Sequence, residues 1–216
     1  MSVEIGLSRV HFPVTALGPG QRIGIWFQGC SIRCPGCMSL DTWAPARTTQ
    51  PVLDLLARLR QWLPLADGIT ISGGEPFDQP AALHALLALP DVTSAASVLV
   101  YSGYSLQQLQ QCHPYILPLI DVLITEPFDQ SKHEHVLLRG SSNQQVACLT
   151  DRGAELWRSA ELARNRSGTV DVIVDDDGEL WFAGIPKPGD IARLSNGLAR
   201  AGVRANSSAG KLGSTS

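Results

Sequence analysis

The chain lacks several things, and each absence removes a class of protein. No run of 18 or more apolar residues occurs; the richest stretches, 81–89 and 116–124, are short and broken by proline, histidine or aspartate, so no membrane-crossing helix and no membrane partner are expected. The first ten residues carry Glu4 and Arg9 and have no apolar core of a secretory signal, so export is not expected. There is no basic surplus either. Seventeen Lys and Arg face twenty Asp and Glu, for a net charge of −3, which argues against affinity built on phosphate neutralisation and against nucleic acid as a partner. Five cysteines make an odd count, with Cys112 and Cys148 far from the other three, which argues against a disulfide framework and for a reducing, cytoplasmic setting. No internal repeat is visible. What remains is 216 residues with 44% apolar and 17% charged content, the composition of a folded globular chain with its own core.

Against that plain background stands Cys30-Ser-Ile-Arg-Cys34-Pro-Gly-Cys37, three thiols in one short loop with no histidine inside it. A structural zinc site closes its tetrahedron with four protein ligands, whereas three cysteines can hold a 4Fe-4S cluster and leave one iron open. Gly29 and Gly36 let the backbone turn around a bulky group and Pro35 stiffens the loop. Spacing alone leaves zinc open, with His84, His113 or Cys148 as a distant fourth ligand. Isolated Cys112 and Cys148 are otherwise expected to be small buried hydrophobes.

The apolar run Ile23-Gly-Ile-Trp-Phe27 predicts a first strand, with the cysteine loop directly after it. Leu53, Leu55, Leu56, Leu59, Trp62 and Leu63 predict an amphipathic helix. Residues 68–72 predict a second strand ending in Gly73-Gly74, followed by a helix opened by Asp78 and Pro80 and running through Leu89. Residues 96–101 and 121–125 predict two more strands, the third leading through Ser102-Gly103 to a helix started by Ser105 and the fourth into an irregular polar loop. Alternating βα units imply an α/β fold built on a parallel sheet, whose ligands lie at the carboxyl ends of the strands. The cysteine loop, Gly73-Gly-Glu-Pro76, Ser102-Gly-Tyr104 and Glu126-Pro-Phe128 all fall at such ends and are expected to converge on one pocket. Past Gln145 the texture changes to a helix near 150–164 and a β-hairpin whose strands, 169–174 and 180–182, meet at Asp175-Asp-Asp-Gly178. The expected division is a core at 1–146, a helix and β-hairpin extension at 147–205, and a disordered Gly/Ser-rich tail at 206–216.

Gly73-Gly-Glu-Pro76 alone reads as an ordinary glycine turn, but beside the cysteine loop on a neighbouring strand end it becomes specific. The two together resemble the radical S-adenosylmethionine superfamily, and more closely the activating proteins of anaerobic ribonucleotide reductase. The similarity extends to Gly18-Pro-Gly20, Thr42-Trp43, Gly103-Tyr104, Asp121-Val-Leu123 and Arg139-Gly-Ser-Ser-Asn-Gln144, covering about residues 11–146.

That resemblance implies an incomplete, open (β/α) barrel. It implies a 4Fe-4S cluster on Cys30, Cys34 and Cys37, and S-adenosylmethionine lined by Gly36, Cys37, Met38 and Gly74, with Gly73 and Glu75 holding its methionyl amine and Ser102 close by. The chemistry implied is reductive cleavage of the sulfonium to methionine and a 5′-deoxyadenosyl radical, which belongs to the cofactor and needs no acid–base dyad. Implied partners are a glycyl radical enzyme as protein substrate and a flavodoxin- or ferredoxin-like electron donor. Two alternatives stand beside it: modification of a peptide or small metabolite, and a zinc-binding interaction module. Met38 departs from the aromatic residue frequent after the third cysteine, and Thr125-Glu126 from the usual Asp-Gly. Of the tryptophans at 26, 43, 62, 157 and 181, expected in the core or near the pocket, only Trp43 has a motif-based claim on the cofactor. Lys132-His-Glu-His135 reads as solvated loop, and the 139–144 run as surface loop or a contact to ribose or partner.

Overall fold

The structure, a computed structural model of the chain, describes residues 2–95, 97–162, 169–174, 180–186 and 189–200. A two-residue strand β1 (Glu4–Ile5) leads to β2 (Leu7–Val14), and the chain turns back into β3 (Arg22–Phe27). After the cysteine loop, β4 (Gln50–Pro51) pairs with β1 and hands over to helix α1 (Val52–Leu59). Alternation then runs β5 (Gly68–Gly73), α2 (Pro80–Leu87), α3 (Pro90–Ala95), β6 (Ser97–Tyr101), α4 (Leu106–Cys112) and β7 (Val122–Thr125). Strands β8 (His133–Val136) and β9 (Arg139–Ser141) form a hairpin ahead of β10 (Gln145–Cys148). The C-terminal part holds α5 (Asp151–Leu162), the hairpin β11 (Val170–Val174) with β12 (Leu180–Gly184), and α6 (Asp190–Arg200).

The result is a mixed α/β fold on one six-stranded sheet, ordered β10-β7-β6-β5-β3-β2. Strands β3, β5, β6 and β7 are parallel, as their βα alternation predicts. Both edges differ from the all-parallel expectation, because β2 and β10 run antiparallel to their neighbours. The seven residues between β2 and β3 are too few for a crossover, so the chain can only double back. Strand β2 carries Ser8, Arg9, His11 and Pro13, a polar and proline-bearing sequence that an edge accepts and a central strand would not.

Apolar side chains alternate between two covered faces, which is why β3 and β7 are buried along their whole length. On one face Ile23, Ile25, Phe27, Ile69, Ile71, Val98, Val100 and Leu123 meet Leu55, Leu56 and Leu59 of α1, Leu83, Leu86 and Leu87 of α2, and Leu109 of α4. On the other, Leu99, Val122 and Ile124 pack against Leu156 and Trp157 of α5, while Trp26, Val14 and Leu17 pack against Ile173, Ala183 and Trp181 of the C-terminal hairpin.

Several local expectations are revised. Helix α1 ends at Leu59, with Trp62 and Leu63 in a tighter turn, and its buried stripe is Val52, Leu55, Leu56 and Leu59; Leu53 is 63% exposed. Asp78 does not open α2, whose first turn carries Pro80 preceded by Gln79. Ser105 starts α4 as expected, through a capping box with Gln108. The loop after β7 is a turn followed by the β8–β9 hairpin, so His133 and Glu134 stand on a strand. Cys112 and Cys148 are exposed, since neither the last turn of α4 nor the end of an edge strand is covered there. The Asp175-Asp-Asp-Gly178 turn and the 206–216 tail lie outside the described residues.

Candidate functional site

The cysteine loop is rooted in the strand ends around it. Gly29 N–H donates to Thr42 O (2.8 Å) and Cys30 N–H to Trp43 O (3.3 Å), folding the loop back on itself. Gly74 N–H donates to Phe27 O (2.8 Å) and Glu75 N–H to Gly29 O (2.9 Å), so the turn after β5 is bonded to the base of the loop after β3. A Cβ at Gly74 would collide with the Gly29 and Thr42 carbonyls, so only glycine permits this approach. The far side is strapped by Asp78, whose carboxylate accepts from Ser31 N–H (2.7 Å), lies 2.9 Å from Ser31 Oγ and accepts from the Tyr104 hydroxyl (2.9 Å).

Glu75 ties the ends of β5 and β6 together. Its Oε1 accepts from Phe77 N–H (3.0 Å) and Ser102 Oγ–H (2.9 Å), and its Oε2 from Gly103 N–H (2.8 Å). The side chain is 1% exposed, and burial pushes its pKa up to about 7 against the opposing pull of those three donors. A carboxylate offers about four acceptor positions, so one remains on Oε2 for a ligand.

All the candidate site residues come together. Cys30, Cys34, Gly36, Cys37, Met38, Gly73, Gly74, Glu75 and Ser102 line one cavity of about 550 Å³ at the carboxyl ends of the parallel strands. That volume falls in the range of small-molecule sites. Trp43 also lines it, and its buried indole N–H has no hydrogen-bond partner among the described residues. Glu126, His133, Gly140 and Gln144 reach the same space; Gln144 accepts from Gly140 N–H (2.8 Å), so the 139–144 run is folded on itself beside the cavity.

The three thiols suit an iron–sulfur cluster by their surroundings as well as their number. Backbone N–H groups of Ile32 and Arg33 face the Cys30 sulfur, that of Phe128 faces Cys34, and Ser39 N–H lies 3.4 Å from Cys37 Sγ. Such donors stabilise bound thiolates. Without a metal, burial pushes the Cys30 and Cys34 thiols up, so coordination is what would hold them as thiolates. Among the described residues no three His, Cys, Asp or Glu side chains are gathered closely enough for a single ion. The candidate fourth zinc ligands lie elsewhere: His113 packs tilted against Phe77, His84 stands edge-on to Tyr115, and Cys148 pairs with Val122 at the opposite end of the sheet.

Trp26 of β3 and Trp181 of β12, expected in the core or near the pocket, line the cavity too. Sequence reasoning missed Arg9 of β2 and Phe182 to Pro186 of the C-terminal part, which also line it. The polar edge-strand sequence of β2 hides Arg9, and nothing local to Trp181 says where its hairpin docks.

Comparison with known proteins gives the same reading. The profile of the 4Fe-4S single cluster domain family matches residues 16–147, and the chain belongs to that family. More narrowly, it belongs with the radical S-adenosylmethionine activating proteins of glycyl radical enzymes. It is 32% identical over 150 residues to the anaerobic ribonucleoside-triphosphate reductase-activating protein of Vibrio cholerae, covering 65% of this chain and 96% of that protein. The protein of the same name from Escherichia coli K12 is 30% identical over 146 residues, covering 63% and 94%. The pyruvate formate-lyase-activating enzyme of Streptococcus mutans is 28% identical over 153 residues, covering 65% and 58%. Among solved structures, QueE from Escherichia coli aligns with 93% of this chain and 92% of its own at a TM-score of 0.42 and 16% identity, too weak a likeness to bear on the fold.

Proposed function

We propose that this protein is a radical S-adenosylmethionine enzyme that activates a glycyl radical enzyme such as anaerobic ribonucleotide reductase; its relatives are named as activators of anaerobic ribonucleoside-triphosphate reductase and of pyruvate formate-lyase. Cys30, Cys34 and Cys37 hold the cluster, and Gly36, Cys37, Met38, Gly73, Gly74 and Ser102 line the place of S-adenosylmethionine, with the free acceptor position of Glu75 turned to its amine. A bound cluster supplies one-electron reductive cleavage of the sulfonium and a 5′-deoxyadenosyl radical that abstracts hydrogen. The chain's own part is to bind, orient and exclude. The glycine turn keeps side chains out of the space beside the cysteine loop, and Trp43 offers an indole N–H that has no partner among the described residues.

The observation that carries this reading is the convergence of the cysteine loop, the Gly73-Gly-Glu turn and Ser102 on one cavity at the carboxyl end of four parallel strands. Helices α1, α2 and α4 all lie on one face of those strands, which supports an incomplete (β/α) barrel whose inner face the residues beyond 147 fill. The division into a 1–146 core and a 147–205 extension follows that reading, as do a flavodoxin- or ferredoxin-like electron donor and a cytoplasmic location. Among the described residues no helix is long and apolar enough to cross a membrane.

Anaerobic reconstitution with iron and sulfide tests it. The protein is expected to turn brown, to yield 5′-deoxyadenosine on reduction with S-adenosylmethionine, and to raise a glycyl-radical EPR signal on its partner enzyme. Stoichiometric zinc in protein purified without air, together with no cluster uptake, would rule the reading out. Cofactor cleavage without any glycyl signal would redirect it to a peptide or metabolite substrate.

A further inference from the structure

The family profile stops at residue 147, yet the chain beyond it returns to the cavity. Two fastenings hold the β11–β12 hairpin there. Asp171 Oδ2 accepts from Thr15 N–H (2.6 Å) and Ala16 N–H (2.8 Å) while Oδ1 accepts from Thr15 Oγ–H (2.7 Å), pinning β11 to the β2–β3 turn. Ile173 and Ala183 are buried against Val14, Leu17 and Trp26, giving the hairpin an apolar seat on the sheet.

Trp181 is then held from three sides. Its ring stands edge-on to Trp26 at 5.1 Å and to His11 at 5.2 Å between centroids, and the Arg9 guanidinium lies 5.4 Å from its centroid. Arg9 is itself ion-paired to Asp41, which follows the cysteine loop. Trp181 and Phe182 line the same cavity as Cys30, Cys34 and Cys37.

We propose that this hairpin is a built-in wall of the reaction site, with Trp181 as its positioning residue. It keeps adventitious hydrogen donors from the reacting carbon and confines the substrate to the space it leaves, which suits a slender, side-chain-poor protein segment. A carbon radical takes hydrogen from whatever C–H it meets, so a site open on this face would waste the cofactor. The inference rests on the radical reading of the cavity.

Two measurements on the full-length chain test it. In metal-free, reduced protein, iodoacetamide labels Cys30, Cys34 and Cys37, with exposed Cys112 and Cys148 as internal references. Trp181→Ala is expected to raise cavity labelling several-fold relative to those references, and Trp181→Phe to keep the native ratio. An unchanged ratio in Trp181→Ala, or cavity thiols that already label as fast as the references in the native protein, overturns the wall.

In reconstituted protein given S-adenosylmethionine, reductant and fully deuterated glycerol, the deuterium content of the 5′-deoxyadenosine reports access of a foreign C–D bond. Trp181→Ala is expected to raise that content several-fold, with Trp181→Phe near native. Mere structural damage would lower the total product without enriching it, and that result also counts against the proposal. Native protein that makes no 5′-deoxyadenosine would overturn the radical reading instead, and the labelling ratio would still decide whether the wall exists.

Discussion

The two ends of the central sheet use polar residues in opposite ways. At the amino ends of the parallel strands the buried charges of Arg22 and Asp121 are spent on the fold. Arg22, fully buried at the start of β3, donates to Thr70 Oγ (2.6 Å), Ile69 O (2.7 Å), Ser97 O (2.9 Å) and Ser97 Oγ (3.1 Å). A Cβ at Gly68 would strike its guanidinium, and Gly18 of the Gly18-Pro-Gly20 turn wraps the same side chain. Asp121, just before β7, accepts from Val98 N–H (2.7 Å), Thr150 Oγ–H (2.5 Å) and Arg152 Nε (3.0 Å), which anchors α5. At the carboxyl ends, by contrast, thiols, glycines and Trp43 face a cavity with capacity to spare. The same sheet therefore spends polar residues on stability at one end and presents them for chemistry at the other.

The sharpest way to break that contrast is to remove one cavity thiol. Replacing Cys30, Cys34 or Cys37 singly by alanine is expected to abolish cluster retention and 5′-deoxyadenosine formation, measured as iron content and product per protein. The urea stability of the metal-free chain should move by no more than about 1 kcal/mol. The counterpart at the amino end is Arg22→Met. Burial lowers the Arg22 pKa to about 10, so it stays charged at neutral pH, and its loss strands several buried acceptors. A loss of about 3–5 kcal/mol in urea unfolding is expected, with the iron content of the folded fraction unchanged. Reduced iron per folded molecule would show that the two ends are not separable.

The carboxylates carry the same contrast into pH. Glu75 is raised to about 7, so its contribution is fully present below its ordinary value of 4.5 and is lost as pH rises through about 7. For Asp121 burial pushes upward, but the bonds from Arg152, Thr150 and Val98 outweigh it, so the group lies below its ordinary 3.8. Its contribution is present above that value and is lost as pH falls below it. In metal-free protein, Glu75→Gln should therefore flatten the decline in stability between pH 5 and pH 8 by about 3 kcal/mol at most. Asp121→Asn should flatten only the acid-side loss. Matching slopes in the two variants would remove the distinction.

How much of this was legible in the sequence follows from the range of each signal. The four parallel strands and α4 declare themselves by apolar runs and the Ser105 cap, and the cysteine and glycine turns by spacing, because each is a local pattern. Asp78 misleads for the same reason: it sits where a helix-opening residue belongs, yet its carboxylate serves Ser31 and Tyr104. Strand β2 was hidden by its edge polarity, and Trp181 by a docking contact 155 residues from Trp26 along the chain. Long-range pairings of this kind leave no period to read.

The smallest expected effect concerns Cys112 and Cys148, and it separates residue type from residue place. All five cysteines are unpaired, so thiol chemistry alone does not distinguish three of them. Position does: Cys112 ends α4 in solvent, and Cys148 ends an edge strand opposite Val122, at the amino end of the sheet. Neither fills the core, so serine leaves no cavity, and neither reaches the cluster site, so no ligand is lost. The double variant Cys112→Ser with Cys148→Ser should keep native iron content and 5′-deoxyadenosine yield, with stability within about 0.5 kcal/mol of native. A fall in iron content would make one of them a cluster ligand in some state of the chain, and the partition of the sheet into a folding end and a reacting end would fail at its simplest point.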